Sequence, residues 1–320
     1  MRIVVLTSGG DGPGMNACVR AVTRTALTWG WEVFASFHGY NGLVQGKLEV
    51  LSHNSVSNII QRGGTVLGAG RCPELRTEEG LERAVETLRG NGIDGVVAIG
   101  GDGTFRGLRD ISARWEGLCV GIPGTVDNDT TGSDYCIGFD TAVNTALDAI
   151  DRIRDTAEAY DRCFLIEVMG RDSGALAIAA GLAGGAEEVC VPETPTDYEG
   201  IAARLLAGKQ AGRLSSIMVV AEGDEVGGAV GLAAKLEALS GLKFRVCVLG
   251  HIQRGGSPTA RDRILASRLG AEAVRLLSEG RGDVIVGEIA GRLATTPISE
   301  VDQPLPGSTE DLRLITLLAR

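Results

Sequence analysis

The sequence predicts a doubly wound α/β fold, because short β-branched apolar runs alternate along the chain with longer segments of helical period. This alternation is typical of stacked βα units whose parallel strands are covered on both faces. A length of 320 residues is large for one hydrophobic core and therefore favours two domains. We predict strands at 2–6, 94–99, 118–122, 163–168, 217–221, 245–249 and 283–287, and helices at 15–27 and 262–278.

Taken in order, the first strand is an apolar run that stops at a glycine-rich turn, and the helix at 15–27 follows it with Met15, Val19 and Val22 on one stripe. The second and third strands are also apolar runs that end in glycine-bearing turns. The four later strands are short apolar segments of the same kind. The helix at 262–278 keeps an approximate stripe through Leu265 and Leu269.

The composition excludes several classes of protein. Apolar residues make up 44% of the chain, and 47 glycines accompany only 9 prolines, which favours a folded chain with many turns over disorder. A formal net charge of −10 argues against general binding to nucleic acid or an anionic membrane, so local arginines must hold any anionic ligand. No signal sequence opens the chain and no apolar stretch approaches the ~20 residues of a membrane span, so we expect a cytoplasmic protein. Seven cysteines without a Cys-x-x-Cys pair predict reduced thiols rather than disulfides or a zinc site.

Two glycine-rich turns, at 9–14 and 100–104, each connect a predicted strand to a predicted helix. Glycines let backbone N–H groups approach phosphate oxygens, and a helix N-terminus adds further donors and a favourable dipole. The first turn lacks the Gly-Lys-Ser/Thr of a P-loop, and an ordinary structural connection is the alternative. The repeat of Gly-Gly-Asp-Gly in the same context favours phosphate binding. Asp102 suits a Mg²⁺ ion that bridges phosphates, or alternatively caps the next helix.

A polar loop with two acids, Asp127 and Asp129, follows the strand at 118–122. One carboxylate can accept the proton of a hydroxyl that attacks a phosphoryl group while the other supports a metal, although both residues also suit a simple turn. Guanidinium groups would offset the charge of the transferred phosphoryl group. Five arginines lie in or beside glycine-bearing or strand-end segments, where a solvated surface position is the alternative: Arg71, Arg162, Arg171, Arg245 and Arg254.

From residues 7–16 to the helix at 262–278 the chain resembles the phosphofructokinase family, and the most specific match is the segment from Arg245 to Arg263. The resemblance implies transfer of the γ-phosphoryl group of MgATP to the 1-hydroxyl of fructose 6-phosphate, the step of glycolysis that gives fructose 1,6-bisphosphate and ADP. It also implies two Rossmann-like three-layer α/β domains with mainly parallel sheets and the active site in the cleft between them. The ATP domain would comprise 1–138 and about 251–300, and the fructose 6-phosphate domain 139–250 and about 301–320.

The same resemblance implies roles for individual residues. ATP would be held by Gly10, Arg71, Cys72, Gly101, Asp102, Gly103 and Thr104, with Asp102 on Mg²⁺. Fructose 6-phosphate would be held by Thr125, Asp127, Arg162, Met169, Gly170, Arg171, Glu222, Arg245, His251 and Arg254. Asp127 would be the general base, Thr125 would meet the 1-hydroxyl and Arg171 would stabilise the transferred phosphoryl group. Arg162 and Arg245 would come from a neighbouring subunit, which implies a homo-oligomer, and members of this length resemble tetramers of dihedral symmetry.

Three alternatives to this activity remain at the level of sequence. The first is a pyrophosphate-dependent phosphofructokinase, which the small residues Gly103 and Gly124 disfavour because the resemblance places charged side chains there in the pyrophosphate enzymes. The second is a kinase of the NAD or lipid kinase type, which shares Gly-Gly-Asp-Gly-Thr but lacks the segments at 121–129 and 245–263. The third is a nucleotide sensor without catalysis, which the presence of Asp127 and Arg171 disfavours.

The resemblance also implies an effector site for ADP or phosphoenolpyruvate between subunits. His53 stands where an arginine is common, so we expect weaker or pH-dependent effector binding. Cys72 stands where a bulkier aromatic residue is frequent beside the nucleotide. The residues that match the expected effector positions are Arg20, Arg24, His53, Arg154, Glu187 and Arg213.

Overall fold

The computed structural model describes residues 1–159, 162–213, 215–224, 227–302 and 309–319, and this part of the chain contains eleven strands and ten α-helices. The strands are β1 (Arg2–Thr7), β2 (Glu32–Ser36), β3 (Leu48–Leu51), β4 (Gly95–Gly100), β5 (Leu118–Pro123), β6 (Cys163–Val168), β7 (Glu188–Cys190), β8 (Ser216–Ala221), β9 (Phe244–Val248), β10 (Val284–Ile289) and β11 (Arg292–Pro297). The helices are α1 (Met15–Thr28), α2 (Tyr40–Val44), α3 (Glu78–Gly90), α4 (Asp102–Ser112), α5 (Phe139–Ala159), α6 (Ala175–Ala183), α7 (Tyr198–Gln210), α8 (Gly228–Ser240), α9 (Ala260–Ser278) and α10 (Thr309–Leu318). Short 3₁₀ turns lie at Pro73–Arg76, Gly250–Arg254 and Ile298–Glu300.

The chain folds into two compact units. Unit 1 has the bounds Met1–Thr125, Asp129–Thr141 and Arg254–Leu305, and unit 2 has the bounds Val126–Asn128, Ala142–Gln253 and Pro306–Arg320. The domain assignment made from the sequence, and the cleft between its domains, stay predictions. Residues 303–308 and 320 of its last segment lie outside the described residues.

Unit 1 is built on a seven-stranded sheet in the order β11-β10-β5-β4-β1-β2-β3. The five strands from β10 to β2 are parallel to their neighbours, and only the edge strands β11 and β3 pair antiparallel. Alternate residues of each strand point to opposite faces. Ile3 and Val5 of β1 pack in one core with α1 and α9, whereas Val4 and Leu6 pack in a second core with α3 and α4. Helices therefore cover both faces of this sheet.

Unit 2 is built on a four-stranded parallel sheet in the order β7-β8-β6-β9. Leu165 of β6 and Met218 of β8 share a buried core with residues of α7 and α8. Val219 of β8 points to the other face with Val189 of β7, its partner in register, and a Cβ atom on Gly181 of α6 would touch that valine. Both units are thus three-layer α/β structures, which confirms the predicted fold class.

The predicted elements agree with the structure to within about two residues at each end, as expected where terminal turns fray. Four strands of the structure were not predicted, namely β2, β3, β7 and β11. All seven cysteines lie in the described part of the chain, and each has a free thiol. Among the described helices, none combines the length and the apolar character that a membrane crossing requires.

Candidate active site

One group of predicted site residues lies at the carboxyl ends of three neighbouring strands in unit 1. β1, β4 and β5 are adjacent and parallel, with Thr7 opposite Ile99 and Gly100 opposite Pro123. Ligands of open α/β sheets bind at this edge, where the strands give way to loops. The loops that follow these strands are the glycine-rich turns and the start of the acidic loop described above, so the fold brings these segments together.

Hydrogen bonds hold the loops of unit 1 against one another. Ser8 N donates to the Ile99 carbonyl at 3.0 Å, and Thr104 Oγ1 donates to the Ser8 carbonyl at 3.2 Å. Gly9 N donates to the Gly70 carbonyl at 3.4 Å, which places the 70–72 segment beside the first glycine turn. The segments that carry Gly10, Arg71, Cys72 and 101–104 therefore lie side by side, as their predicted common role in ATP binding requires. Their individual roles stay predictions.

Helix α4 presents its N-terminus at this edge. Gly101 is its N-cap residue, and the Gly101 carbonyl accepts from Thr104 N at 2.8 Å. A Cβ atom on Gly101 would lie 3.6 Å from Thr125 Cβ, which puts Thr125 next to the helix start. Backbone donors at such a terminus favour an anion.

Neither the backbone conformation nor the packing at position 103 requires a glycine. The φ of Gly103 lies outside the positive region, and a Cβ atom there would meet no atom within 4 Å. Inside a helix, glycine costs about 0.5–1 kcal/mol relative to alanine. The fold would thus gain from a side chain at this position, and the space in front of it is left open.

Asp102 is the first residue of α4, and its side chain is 27% exposed. Arg106 lies one turn later on the same helix, and its Nη2 is 3.6 Å from Asp102 Oδ2. Mg²⁺ in phosphate-transfer sites is usually held by one or two carboxylates together with phosphate oxygens and water. A single part-exposed carboxylate beside backbone donors fits that ligand chemistry.

Arg254 packs against the first glycine turn in unit 1. Its Nη1 donates to the Asp11 carbonyl at 3.0 Å, and a Cβ atom on Gly10 would lie 3.0 Å from its Cζ. Gly10 therefore makes room for this guanidinium. The two residues were assigned to different ligands at the level of sequence, and the structure places them in contact.

A second group of predicted site residues lies at the carboxyl ends of β6 and β8 in unit 2. Glu222 N donates to the Val168 carbonyl at 2.9 Å, and the Glu222 carboxylate accepts from Arg171 N at 3.0 Å. Met169 N donates to Gln253 Oε1 at 2.9 Å. These bonds fix the turn of residues 169–174 between the ends of the two strands.

Asp127 and Arg171 form an ion pair in unit 2, with Arg171 Nε 3.3 Å from Asp127 Oδ2. The Asp127 side chain is 1% exposed, whereas that of Arg171 is 49% exposed. Arg171 and Asn128 have φ values of 51° and 50°, a region that non-glycine residues occupy at an energetic cost. A buried carboxylate thus meets a guanidinium that still reaches solvent, and both come from turns with left-handed backbone.

The turn that carries Arg171 depends on two glycines. Gly170 has a φ of 141°, and a Cβ atom on it would collide with the Ser173 carbonyl. A Cβ atom on Gly223 would lie 2.7 Å from the Arg171 carbonyl carbon and closer still to its oxygen. The backbone of Arg171 therefore packs directly on the loop that follows β8.

Arg162 and Arg245 lie at the other end of the sheet in unit 2. Arg162 precedes the first residue of β6, and Arg245 pairs with Phe164 near the start of that strand. Along a strand the distance from Cys163 to Val168 is about 16 Å at a rise of about 3.3 Å per residue. The structure thus separates these two arginines from Arg171 within one chain. His251 is exposed in the turn Gly250–Arg254.

The residues assigned to the effector site are distributed over both units. Arg154 donates to the carbonyls of Gly184 and Gly185 at 2.6 and 2.9 Å and lies 4.0 Å from Glu187, and Arg213 donates to the Ala319 carbonyl at 2.5 Å. These contacts lie in unit 2. Arg20 and Arg24 lie on α1, and the exposed His53 follows β3. All three belong to unit 1.

Gly223, Gln253 and Asp262 were not assigned a role from the sequence, although the last two lie in the segment that carried the resemblance. Asp262 is buried and accepts hydrogen bonds from Gly138 N, Thr141 N and Thr141 Oγ1 at 3.0, 2.9 and 2.5 Å, which fastens α9 to the start of α5. Burial raises the pKa of Asp262 above its usual value, and these three hydrogen bonds only partly offset that effect. The structure shows the roles of these residues through contacts between distant segments, and a single sequence does not reveal such contacts.

A cavity of about 370 Å³ lies elsewhere in unit 2, between β7, α7 and α10. Its wall includes an ion pair in which Arg204 Nε lies 2.5 Å from Glu188 Oε1. None of the predicted site residues lines it.

Comparison with known proteins supplies the family. The model of the family described as Phosphofructokinase matches residues 2–277. The chain belongs to the phosphofructokinase family. Within this family, ATP-dependent 6-phosphofructokinase 1 of Thermus thermophilus is 56% identical over 299 residues, which cover 93% of each chain. ATP-dependent 6-phosphofructokinase of Bacillus subtilis is 53% identical over 301 residues, which cover 94% of this chain and 93% of the relative.

A solved structure of the same family agrees with the fold. The crystal structure of Pichia pastoris phosphofructokinase in the T-state matches with a TM-score of 0.88 and 33% sequence identity. The match covers 94% of this chain and 35% of the Pichia chain, so this phosphofructokinase spans about a third of that protein.

Proposed function

We propose that this chain is an ATP-dependent 6-phosphofructokinase, which transfers the γ-phosphoryl group of MgATP to the 1-hydroxyl of fructose 6-phosphate. The observation that carries the proposal is the buried Asp127 carboxylate paired with Arg171, in a chain 56% identical to a relative named for this activity. In this proposal the pair would supply a proton acceptor and a phosphoryl-binding cation side by side.

Asp127 is the proposed general base. A hydroxyl that attacks a phosphorus atom needs a nearby carboxylate to orient it and to accept its proton. The burial of Asp127 excludes bulk water from the carboxylate, so its oxygens can be directed at one bound hydroxyl. Thr125, which lies next to the start of α4, is the proposed hydroxyl partner of the sugar.

Arg171 is the proposed stabiliser of the transferred phosphoryl group. Its backbone is fixed by Glu222 and by the glycines of its turn, while its guanidinium is half exposed and can turn from Asp127 toward an incoming phosphate. A guanidinium offers forked donors that match phosphate oxygens. Met169, Gly170, Glu222, His251 and Arg254 are the further residues that we propose for fructose 6-phosphate.

The nucleotide would occupy the loops of unit 1, and Asp102 would hold the Mg²⁺ that accompanies it. When bound, this ion would offset charge on the phosphates. Backbone donors of residues 101–104 and the Arg71 guanidinium would bind phosphate oxygens, and Cys72 would lie beside the nucleoside. The open space at Gly103 supports a bulky donor, because no packing of the fold requires glycine there.

Gly124, the second glycine assigned to donor choice, has a different environment. A Cβ atom there would lie 3.0 Å from Ile99 Cγ2 and 3.3 Å from Met15 Cε. Packing alone therefore favours glycine at this position, so its presence says less about the phosphoryl donor than Gly103 does. The pyrophosphate alternative is best tested at Gly103.

A homotetramer with shared sites accounts for Arg162 and Arg245, which lie about 16 Å along the strand from the Arg171 end of their own sheet. In this proposal both arginines bind the 6-phosphate at the site of a neighbouring subunit. An ADP or phosphoenolpyruvate effector at Arg154 and Glu187, and a cytoplasmic location, belong to the same proposal. Light scattering of the purified protein should give the mass of four chains, and a monomeric mass with full activity would contradict the shared site.

The catalytic assignment is tested by steady-state kinetics of Asp127→Ser with fructose 6-phosphate and MgATP. Loss of a positioned base typically costs about 10²–10⁴-fold, and we expect kcat to fall within that range. Asp148→Ser is the matched control, because Asp148 is an exposed carboxylate of the same unit whose ion pair, among the described residues, is with Arg152 one turn later on its own helix. It should retain wild-type kcat. Equal rates for the two variants would contradict the role of Asp127.

A further inference from the structure

A series of charged side chains connects Asp102 to the end of the described part of unit 1. Arg106 lies one helical turn after Asp102 on α4. Its Nη2 is 3.6 Å from Asp102 Oδ2, while its Nε donates to Asp302 Oδ1 at 2.7 Å. Arg109 donates through Nη1 to the other oxygen of Asp302 at 2.6 Å. Asp302 thus binds two arginines of the helix whose first residue is Asp102.

Arg106 has two carboxylates within reach. The contact with Asp302 has the length of a charge-assisted hydrogen bond, whereas the contact with Asp102 is longer than a hydrogen bond. Hydrogen bonds from Arg106 and Arg109 hold the pKa of Asp302 below its usual value, so this carboxylate stays ionised over the neutral range. The fold therefore favours Asp302 as the partner of Arg106.

A guanidinium that moved fully onto Asp102 would compete with a metal ion for the same oxygens. Both are cations, and each gains most when it binds the carboxylate directly. The distance between Arg106 and Asp102 would therefore affect how strongly Asp102 can hold a divalent ion. Asp302 bears on that distance, because it accepts from Nε of the same guanidinium whose Nη2 faces Asp102.

We propose that Asp302 is a positioning residue for the metal that accompanies the nucleotide. It holds Arg106 at 3.6 Å from Asp102 and so limits the competition between that arginine and Mg²⁺. Arg109 completes the anchor, because it occupies the second oxygen of Asp302 and orients the carboxylate. This inference rests on the proposed role of Asp102 as the metal ligand.

The test uses Mn²⁺ as the probe metal and measures its binding to the full chain with ADP by electron paramagnetic resonance. Asp302→Asn keeps the shape of the side chain and removes its charge. We expect the dissociation constant of Mn²⁺ in the ADP complex to rise about two- to fivefold, the range that exposed ion pairs supply. ADP binding measured in EDTA should not weaken, because Arg106 affects this site through the metal ligand.

Two further variants separate positioning from a general loss of charge or fold. Asp302→Asn combined with Arg106→Met should bind Mn²⁺ as Arg106→Met alone does, because no guanidinium remains to be held. Glu86→Gln removes one negative charge from an exposed site on α3 of the same unit and should leave Mn²⁺ binding unchanged. Wild-type Mn²⁺ affinity in Asp302→Asn, or weakening that persists in the double variant, would overturn the inference.

The wild-type protein and Asp102→Asn distinguish this failure from failure of the proposed metal site. If Asp102→Asn binds Mn²⁺ with ADP as tightly as the wild type does, the metal role of Asp102 is wrong and the inference about Asp302 falls with it. If Asp102→Asn weakens binding and Asp302→Asn does not, the metal role stands and only the inference about Asp302 is wrong.

Discussion

A single methyl group on Gly223 should displace Arg171 without touching any charged side chain. In Gly223→Ala the new Cβ atom would lie 2.7 Å from the Arg171 carbonyl carbon, whereas carbon atoms in contact lie about 3.5 Å apart. Because the Arg171 carbonyl oxygen lies closer still, the Arg171 backbone or the loop after β8 must move by at least roughly 1 Å. Because a misplacement of about 1 Å at a reacting group can cost about 100-fold in rate, we expect kcat for phosphoryl transfer to fall by about that factor.

The assay is steady-state formation of fructose 1,6-bisphosphate, together with the free energy of unfolding of each variant in urea. Overpacking of this kind typically costs about 1–3 kcal/mol, so Gly223→Ala should remain folded. Gly90→Ala is the matched control, because its Cβ atom would meet no atom within 4 Å and its φ is not positive. A Gly223→Ala variant that is folded and retains wild-type kcat would refute the claim that this turn positions Arg171 for catalysis.

Three further predictions concern stability and thiol chemistry. Phe105 is fully buried, so Phe105→Ala should lower the free energy of unfolding by about 3–5 kcal/mol in urea titrations, and a loss below about 1 kcal/mol would contradict its place in the core. Because burial raises the pKa of Asp262 above 3.8, its titration contributes stability that is complete below pH 3.8 and is lost as pH rises through the raised pKa. The difference in unfolding free energy between wild type and Asp262→Asn should therefore change with pH from 3.8 upward, and a constant difference would contradict the shift. Burial raises the pKa of Cys136 to about 12 and three other cysteines are buried as well, so a thiol reagent should titrate at most three thiols before unfolding, namely Cys72, Cys163 and Cys247.

Six of the seven strands that the sequence predicts lie in the interior of a sheet, and the exception is the edge strand β9. β1, β4 and β5 are continuous apolar runs because both faces are covered by helices, and this pattern is visible without tertiary information. The strands that were not predicted lie at sheet edges or next to them. β3 has two exposed residues out of four and β7 has only three residues, so neither offers a pattern long enough to read.

The candidate site residues also fall into those that the sequence predicts and those that it does not. Residues whose own chemistry is informative, such as Asp102 and Asp127, stand out because a carboxylate at a strand end has few structural explanations. Gln253 and Gly223 act through neighbours that are distant in the sequence, and the bond from Met169 to Gln253 spans 84 residues. Such contacts depend on how strands are ordered in the sheet, which periodicity does not determine.

Phosphoryl transfer from ATP to fructose 6-phosphate can be observed by ³¹P nuclear magnetic resonance of the purified protein with fructose 6-phosphate, Mg²⁺ and either ATP or pyrophosphate. We expect fructose 1,6-bisphosphate and ADP in the ATP sample and no turnover of pyrophosphate, and we expect Gly103→Asp to lose most of its activity with ATP. Product with pyrophosphate alone would contradict the donor assignment. No product with either donor would contradict the proposed activity and favour another kinase class or a nucleotide sensor.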